Sequence, residues 1–400
     1  MKIWKVLTSL ALCAALLTSA VIPAAATEET ELDTLISETA AALAAMGGHK
    51  GDLLADADYV NPGSSLSDWI ALTLARCDVP ESYSQYLDAL KTYVEKCYAE
   101  DGGLHDVKAT EYHRISLTVL SLGGDPTNFG TKPDGTPIDL IADGTYNFGE
   151  KELGLQGLNG WIWALIALDA SGVEVPEDAR YSRQDMIEAI LGAQNEDGSF
   201  ALDTGSGDVD ITAMAVQALS PYYGKYRTQV DLALTWLSYV MNADGTYTYG
   251  TAVSSESLSQ VILALSALNY GVGDFVGFVR DGQTMYQTIK RFRCADGMFC
   301  HELGSEQSDG LATVQALQAL ISIRNHEKGW PYIFGLSGPY FPTQSDAAGT
   351  AVTPTTKTNA PAEAKQSSSM RILWIGLAAE VVIIGAIIAI VVNKRRKKHG

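Results

Sequence analysis

Two hydrophobic patterns alternate along residues 66–334. One is apolar on nearly every side. It recurs in the segments WIALTLARC from Trp69, ISLTVLSLG from Ile115, WIWALIALDA from Trp161, ITAMAVQALS from Ile211, LSQVILALSAL from Leu258 and LATVQALQALISI from Leu311. A helix that is apolar all round is buried on every face. The second pattern carries a single apolar stripe at helical spacing, as in Leu87, Leu90 and Val94, or Met186, Ile187, Ile190 and Leu191. Six buried helices alternating with about as many half-exposed ones predict two concentric layers, an inner ring packed inside an outer one. The expected fold is all-α, a closed α/α toroid over 66–342. A helix over 34–46, within a lead-in at 27–65, is expected outside this ring or capping it. The segment from Gly329 to Phe334 is expected to close it.

Between the helices a short signature returns: Asp-Gly, any residue, then an apolar or aromatic one. The copies start at Asp101, Asp143, Asp197, Asp244 and Asp296. Spacing of roughly 40 to 55 residues marks a structural repeat, one supersecondary unit per copy. Each copy is expected to be a turn between an outer helix and the next inner one.

The run from Gln194 to Phe200, QNEDGSF, resembles the QxxxGxW-type motif of squalene–hopene cyclases, with Phe in place of Trp. The chain is similar in this respect to the α/α toroids of terpenoid cyclases and protein prenyltransferases. Cobalamin carriers such as intrinsic factor and complement thioester domains use the same toroid. The resemblance implies the fold. It implies no single activity, because this architecture hosts unrelated functions.

The two ends place the protein at a membrane. Residues 1–26 have Lys2 and Lys5, a short apolar core and Ala24-Ala25-Ala26 before Thr27, the pattern of a secretory signal peptide. Residues 343–370 are rich in Thr, Ala, Ser and Pro and read as an extended stalk. The apolar run in 371–393 is long enough to span a bilayer as a helix. The basic tail 394–400 directs that end to the cytoplasm. A single-pass cell-membrane protein with an extracellular N-terminal body is therefore expected. Glu380, inside the span, is read as a tolerated carboxyl near one leaflet.

Charge narrows the partners. The chain has 28 basic and 47 acidic residues and a net charge of −19. Eight of the basic residues (Lys2, Lys5, Arg371, Lys394, Arg395, Arg396, Lys397 and Lys398) lie outside the body, which is therefore more acidic still. Such a surface excludes nucleic acid as a partner. Of the cysteines, Cys13 leaves with the signal, and Cys294 and Cys300 flank a turn that brings them together as a disulfide candidate. A zinc set of Cys294, Asp296, Cys300 and His301 lacks the usual ligand spacing, so no metal is expected. No cofactor-binding motif of the phosphate-loop or Rossmann kind is present, and there is no thioester GCxEQ or GxSxG sequence.

One stretch carries candidate chemistry. Asp208-Val209-Asp210-Ile211 resembles the DxDD acid motif with which squalene–hopene cyclases protonate an alkene, but Ile211 stands where the last Asp belongs. Alkene protonation demands an acid screened from water and held by neighbouring groups. With the motif incomplete, Asp208 and Asp210 are read first as helix starters. Ser67 or Asp68, Asn159, Ser257 and Asp309 are expected to cap the other inner helices in the same way. In a toroid these starts gather at one end. Trp69, Tyr112, His113, Trp161, Asp210, Glu256 and Asp309 are therefore the candidate ligand contacts. The functional expectation is non-catalytic binding of a small molecule or glycan, with a corrinoid as one candidate. The alternatives are a terpenoid cyclase-like or glycan-processing enzyme using Asp208 and Asp210, and a surface scaffold for another protein.

Overall fold

The computed structural model describes residues 30–336, apart from 78, 150, 274 and 275. The signal peptide, stalk, membrane span and basic tail expected from the sequence lie outside the described residues. Among the latter, no helix is long and apolar enough to cross a membrane.

The helices, in chain order, are α1 (Glu31–Ala44), α2 (Ser65–Ala75), α3 (Tyr83–Asp101), α4 (Ala109–Ser121), α5 (Leu140–Gly144) and α6 (Asn159–Ser171). They continue with α7 (Arg183–Gly192), α8 (Val209–Leu219), α9 (Tyr223–Val240), α10 (Ser255–Ala267), α11 (Met285–Ile289) and α12 (Gly310–Glu327). A hairpin, β1 (Thr248–Tyr249) and β2 (Ala252–Val253), precedes α10.

The even-numbered helices form the inner ring. Helix α2 packs on α4, α4 on α6, α6 on α8, α8 on α10, α10 on α12, and α12 returns to α2, so the ring is closed. These are the segments whose sequence is apolar on all sides. In α10, for example, every residue from Ser257 to Ser266 is buried. The odd-numbered helices lie outside, each burying one stripe, as α3 does with Tyr86, Leu90, Val94 and Tyr98. The expected two-layer toroid is the architecture observed.

Three details differ from the sequence reading. First, α1 neither caps the barrel nor sits apart from it. It packs along α12 and touches α2, filling the sixth outer position between the last inner helix and the first. Its polar edge is tied to the last repeat of the toroid by Glu31 with Lys290 at 2.6 Å, Asp33 with Lys328 at 3.1 Å and Glu38 with Arg293 at 2.7 Å. The outer layer closes with the first helix, and the toroid therefore starts well before residue 66.

Second, the five Asp-Gly copies are not equivalent. Those at Asp197, Asp244 and Asp296 share one turn. The Asp Oδ1 accepts the N–H two residues on, and the glycine sits at φ 91°, 83° and 86°. Asp143-Gly144 instead ends the short helix α5, and Gly102 closes α3 in the left-handed region.

Third, only two of the inner helices carry the cap expected. Asp208 and Asp309 do cap α8 and α12, accepting from Ile211 N and Ala312 N at 2.9 Å each. Helix α10 is capped by Ser254 rather than Ser257, and neither α2 nor α6 has a side-chain cap. Asp68 is occupied elsewhere. Fully buried, it takes Arg114 Nε at 2.9 Å, Tyr86 OH at 2.7 Å and Gly63 N at 2.9 Å, locking α2, α3 and α4 together.

After α12 the chain turns back into the barrel. Asn325 Nδ2 donates to Pro331 O at 2.8 Å, and Ile333 N donates to Ser322 Oγ at 3.2 Å. This sets Phe334 against Trp69 of α2 and Trp163 of α6, at centroid distances of 5.9 and 5.4 Å. Helices α2 and α6 are not neighbours in the ring, so these aromatics meet across its axis. The expected closing segment is a plug for the barrel's interior.

Candidate functional site

The same device positions the starts of α8, α10 and α12. Each follows a turn whose aromatic residue is buried, and that residue's carbonyl accepts the N–H of the helix cap. The three bonds are Asp208 N to Phe200 O at 2.8 Å, Ser254 N to Tyr247 O at 3.0 Å and Asp309 N to Phe299 O at 2.8 Å. In the first and last copies a threonine one turn inside the helix adds a clamp, Thr212 Oγ1 accepting Phe200 N and Thr313 Oγ1 accepting Phe299 N, both at 2.9 Å. Three adjacent inner helices thus begin in register at one end of the barrel, its mouth.

Two residues past each cap come Asp210, Glu256 and Leu311. Two carboxylates therefore occupy equivalent places on adjacent inner helices. Acids in a first turn are favoured by the helix dipole, which alone would account for them. Their surroundings go further.

Glu256 is held on all sides. It accepts Ser254 Oγ at 3.1 Å and Ser255 Oγ at 3.0 Å, and His301 Nδ1 lies 2.9 Å from both its oxygens. His301 comes from the loop before α12, whose backbone is fixed by Ser255 N donating to His301 O at 3.0 Å. The bond to Glu256 raises the His301 pKa above its ordinary value, against the opposing effect of burial. The imidazole is half exposed, the carboxylate mostly covered.

Asp210 is the opposite case. Its Oδ1 is sealed from solvent and makes no hydrogen bond, and the same is true of the hydroxyl of its neighbour Ser257, a fully buried residue. Burial pushes the Asp210 pKa from the ordinary 3.8 up to about 7. The nearby Ser257 hydroxyl pulls it down, Asp208 and Glu256 raise it further, and His301 opposes them. A buried polar group without a partner costs about 1–3 kcal/mol, so natural structures hold few of them. Two side by side, close enough to interact yet outside hydrogen-bond geometry, mark a place where the fold has not been optimised for stability. Tyr249, on the hairpin before α10, completes the set. It is 52% exposed, and after burial the charges of Asp208 and Asp210 are what raise its phenol pKa.

Other expected contacts lie elsewhere. Tyr112 and His113 point to the outer layer: the Tyr112 hydroxyl accepts Leu104 N at 2.8 Å, and His113 Nε2 donates to Gly144 O of α5 at 2.6 Å. Burial lowers the His113 pKa to about 4, so the ring is neutral. Trp161 packs edge-on against Tyr181 at 5.1 Å, also away from the axis. Two residues apart on a helix cannot share a face, and the residue that reaches the axis is Trp163. Trp69 is on the axis as well but belongs to the plug. Asp309 is committed to capping, and its charge reaches the site only as a minor contribution to the raised pKa of His301.

The sequence reading thus placed Asp208, Asp210 and Glu256 at the mouth and missed Ser257 as a partner, Tyr249 and His301. The equivalence of Asp210 and Glu256 was readable from the repeat, but no local pattern announces His301. Cys294 and Cys300 stand as free thiols close enough to perturb each other, so the turn does bring the disulfide candidates together. Among the described residues no cluster of three or more His, Cys, Asp or Glu is arranged to hold a metal ion.

No protein-family model matches the chain, and no curated protein does. Among solved structures the chain is similar to Candida albicans protein geranylgeranyltransferase-I complexed with GGPP, at 12% identity and a TM-score of 0.48, covering 75% of this chain and 93% of that one. Likeness at that level carries no argument about activity or substrate. The toroid rests on the helix contacts described above.

Proposed function

We propose that this is a membrane-anchored extracellular binding protein that holds a small molecule or glycan at the mouth of its toroid, without converting it. The supporting observation is the pair Asp210 Oδ1 and Ser257 Oγ, buried, adjacent and both without a hydrogen-bond partner, beside the Glu256–His301 pair. Convergent, under-satisfied polar groups are what a ligand, or water it displaces, completes. The site is the mouth rather than the centre, because Phe334, Trp69 and Trp163 occupy the axis.

The test is native mass spectrometry of the 27–342 body after exposure to an extract of its native surroundings. Retention of an unchanged small molecule, lost in Asp210→Ala and Ser257→Ala, supports binding. Equal retention by all three proteins, or none by any, rejects the mouth as the site.

One observation favours a second reading. A carboxyl with a pKa of about 7 next to a histidine–carboxylate pair is the equipment of a general acid. An acid–base enzyme acting on a glycan would release an altered ligand, and Asp210→Asn would abolish that turnover while still binding.

A further inference from the structure

We infer that the ligand at this mouth is an uncharged saccharide, its sugar face on Tyr249 and its hydroxyls on Asp210 and Glu256; this rests on the binding reading above. Three observations select that class.

The first is charge balance. Asp208, Asp210 and Glu256 bring three carboxyl groups, with Asp309 further off. Facing them are His301 and the starts of α8 and α10, each the positive end of a helix dipole worth roughly half a charge. An anion entering here meets the carboxylates. A cation meets His301 and two helix N-termini. With Asp210 protonated near neutrality, the carboxylates of Asp208 and Glu256 are matched by His301 and the two helix starts, and a neutral ligand leaves that balance undisturbed.

The second is hydrogen-bonding capacity. Asp210 Oδ1 is unused, and Ser257 Oγ behind it is unused too. Glu256 is oriented by Ser254, Ser255 and His301, so its position does not depend on a ligand. A protonated Asp210 both donates and accepts, as does the half-exposed imidazole of His301. Groups of mixed donor and acceptor character in a small area match the O–H groups of a sugar, which are themselves both.

The third is Tyr249. It sits beside Asp208 and Asp210 yet keeps half its surface exposed, on a two-residue strand whose side chains are otherwise outward. A ring with a free apolar face next to polar groups accepts the C–H face of a pyranose while the ring edge stays wet.

The experiment presents the 27–342 body to an array of neutral, amino-sugar and uronic-acid oligosaccharides, with Tyr249→Ala and Asp210→Ala beside the unmodified protein. Retention of neutral oligosaccharides is expected, weakened about tenfold or more in each variant, with no retention of the charged ones. Tyr249 is exposed, so its loss leaves the melting temperature unchanged. Asp210-dependent retention of the amino-sugar oligomers overturns the neutral class while leaving a binding mouth in place. The same holds if every oligosaccharide fails but native mass spectrometry finds a ligand that Ser257→Ala releases. Failure of both measurements removes the binding reading itself.

Discussion

Trp69 of α2 and Trp163 of α6 meet across the barrel axis with ring centroids 5.6 Å apart. Helices separated by another in the ring touch through side chains only if those side chains project into its interior. Phe334 joins them from the segment after α12 and is 2% exposed. Removing its ring in Phe334→Ala should cost about 3–5 kcal/mol, the usual loss for a buried Phe. Denaturant unfolding measures that, and the tryptophan emission of the native protein should shift as water reaches Trp69 and Trp163. An unchanged spectrum and midpoint would mean that the plug does not seat there.

Asp210 predicts a pH effect of definite sign. Its folded pKa, about 7, lies above the unfolded value of 3.8, so between those limits the folded state holds a proton that the unfolded state has released. The contribution of this group to stability therefore falls as pH rises through that window and levels off above about 7. Asp210→Asn keeps the shape and removes the titration. Relative to the unmodified protein it should gain roughly 1–3 kcal/mol above neutrality and nothing near pH 4. Urea midpoints taken across this range for both proteins would expose the error if the two curves ran parallel.

Glu256 and His301 predict a loss in the same direction, in a higher pH window. The raised His301 pKa adds stability that is complete below about pH 6.5 and is lost as pH rises through the folded value. In Glu256→Gln the imidazole should titrate at a lower pH than in the unmodified protein, which NMR of the ring protons follows directly. A titration unmoved by the substitution would separate the two side chains.

Arg114 and Asp68 form a buried ion pair, with side chains 6% and 0% exposed. Arg114→Met strands the Asp68 carboxylate and should cost about 3–5 kcal/mol, whereas the double change Arg114→Met with Asp68→Asn should recover part of it. Calorimetric melting of Arg114→Met, Asp68→Asn and the double variant tests the coupling; additive losses would show that the pair acts as two independent groups.

Gly198 has φ +91°, and a Cβ there would lie 2.6 Å from the carbonyl oxygen of Leu232 in α9. Gly198→Ala combines left-handed strain with a backbone clash, so a loss of at least about 1 kcal/mol is expected. Gly192, where an added Cβ meets nothing, is the control. Equal melting temperatures for the two alanine variants would contradict the turn geometry.

The layering is legible in the chain alone. Segments apolar all round had to be enclosed, and striped ones had to lie outside them, because burial of apolar area depends on composition and period and on little else. The Asp-Gly repeat likewise showed that the units recur. It also put Asp208, Asp210 and Glu256 at helix starts, since caps and turns are local chemistry. Long-range packing sets the rest. It showed that α1 completes the outer ring, that Phe334 fills the axis, and that of Trp161 and Trp163 the second points inward. It brought His301 to Glu256 across 45 residues and left Asp210 Oδ1 and Ser257 Oγ sealed from solvent and outside hydrogen-bond geometry. These are contacts between groups far apart in the chain, and no periodicity encodes them. Whether a carboxyl in a helix's first turn is an ordinary surface acid or a sealed proton carrier depends on what the neighbouring helix places over it.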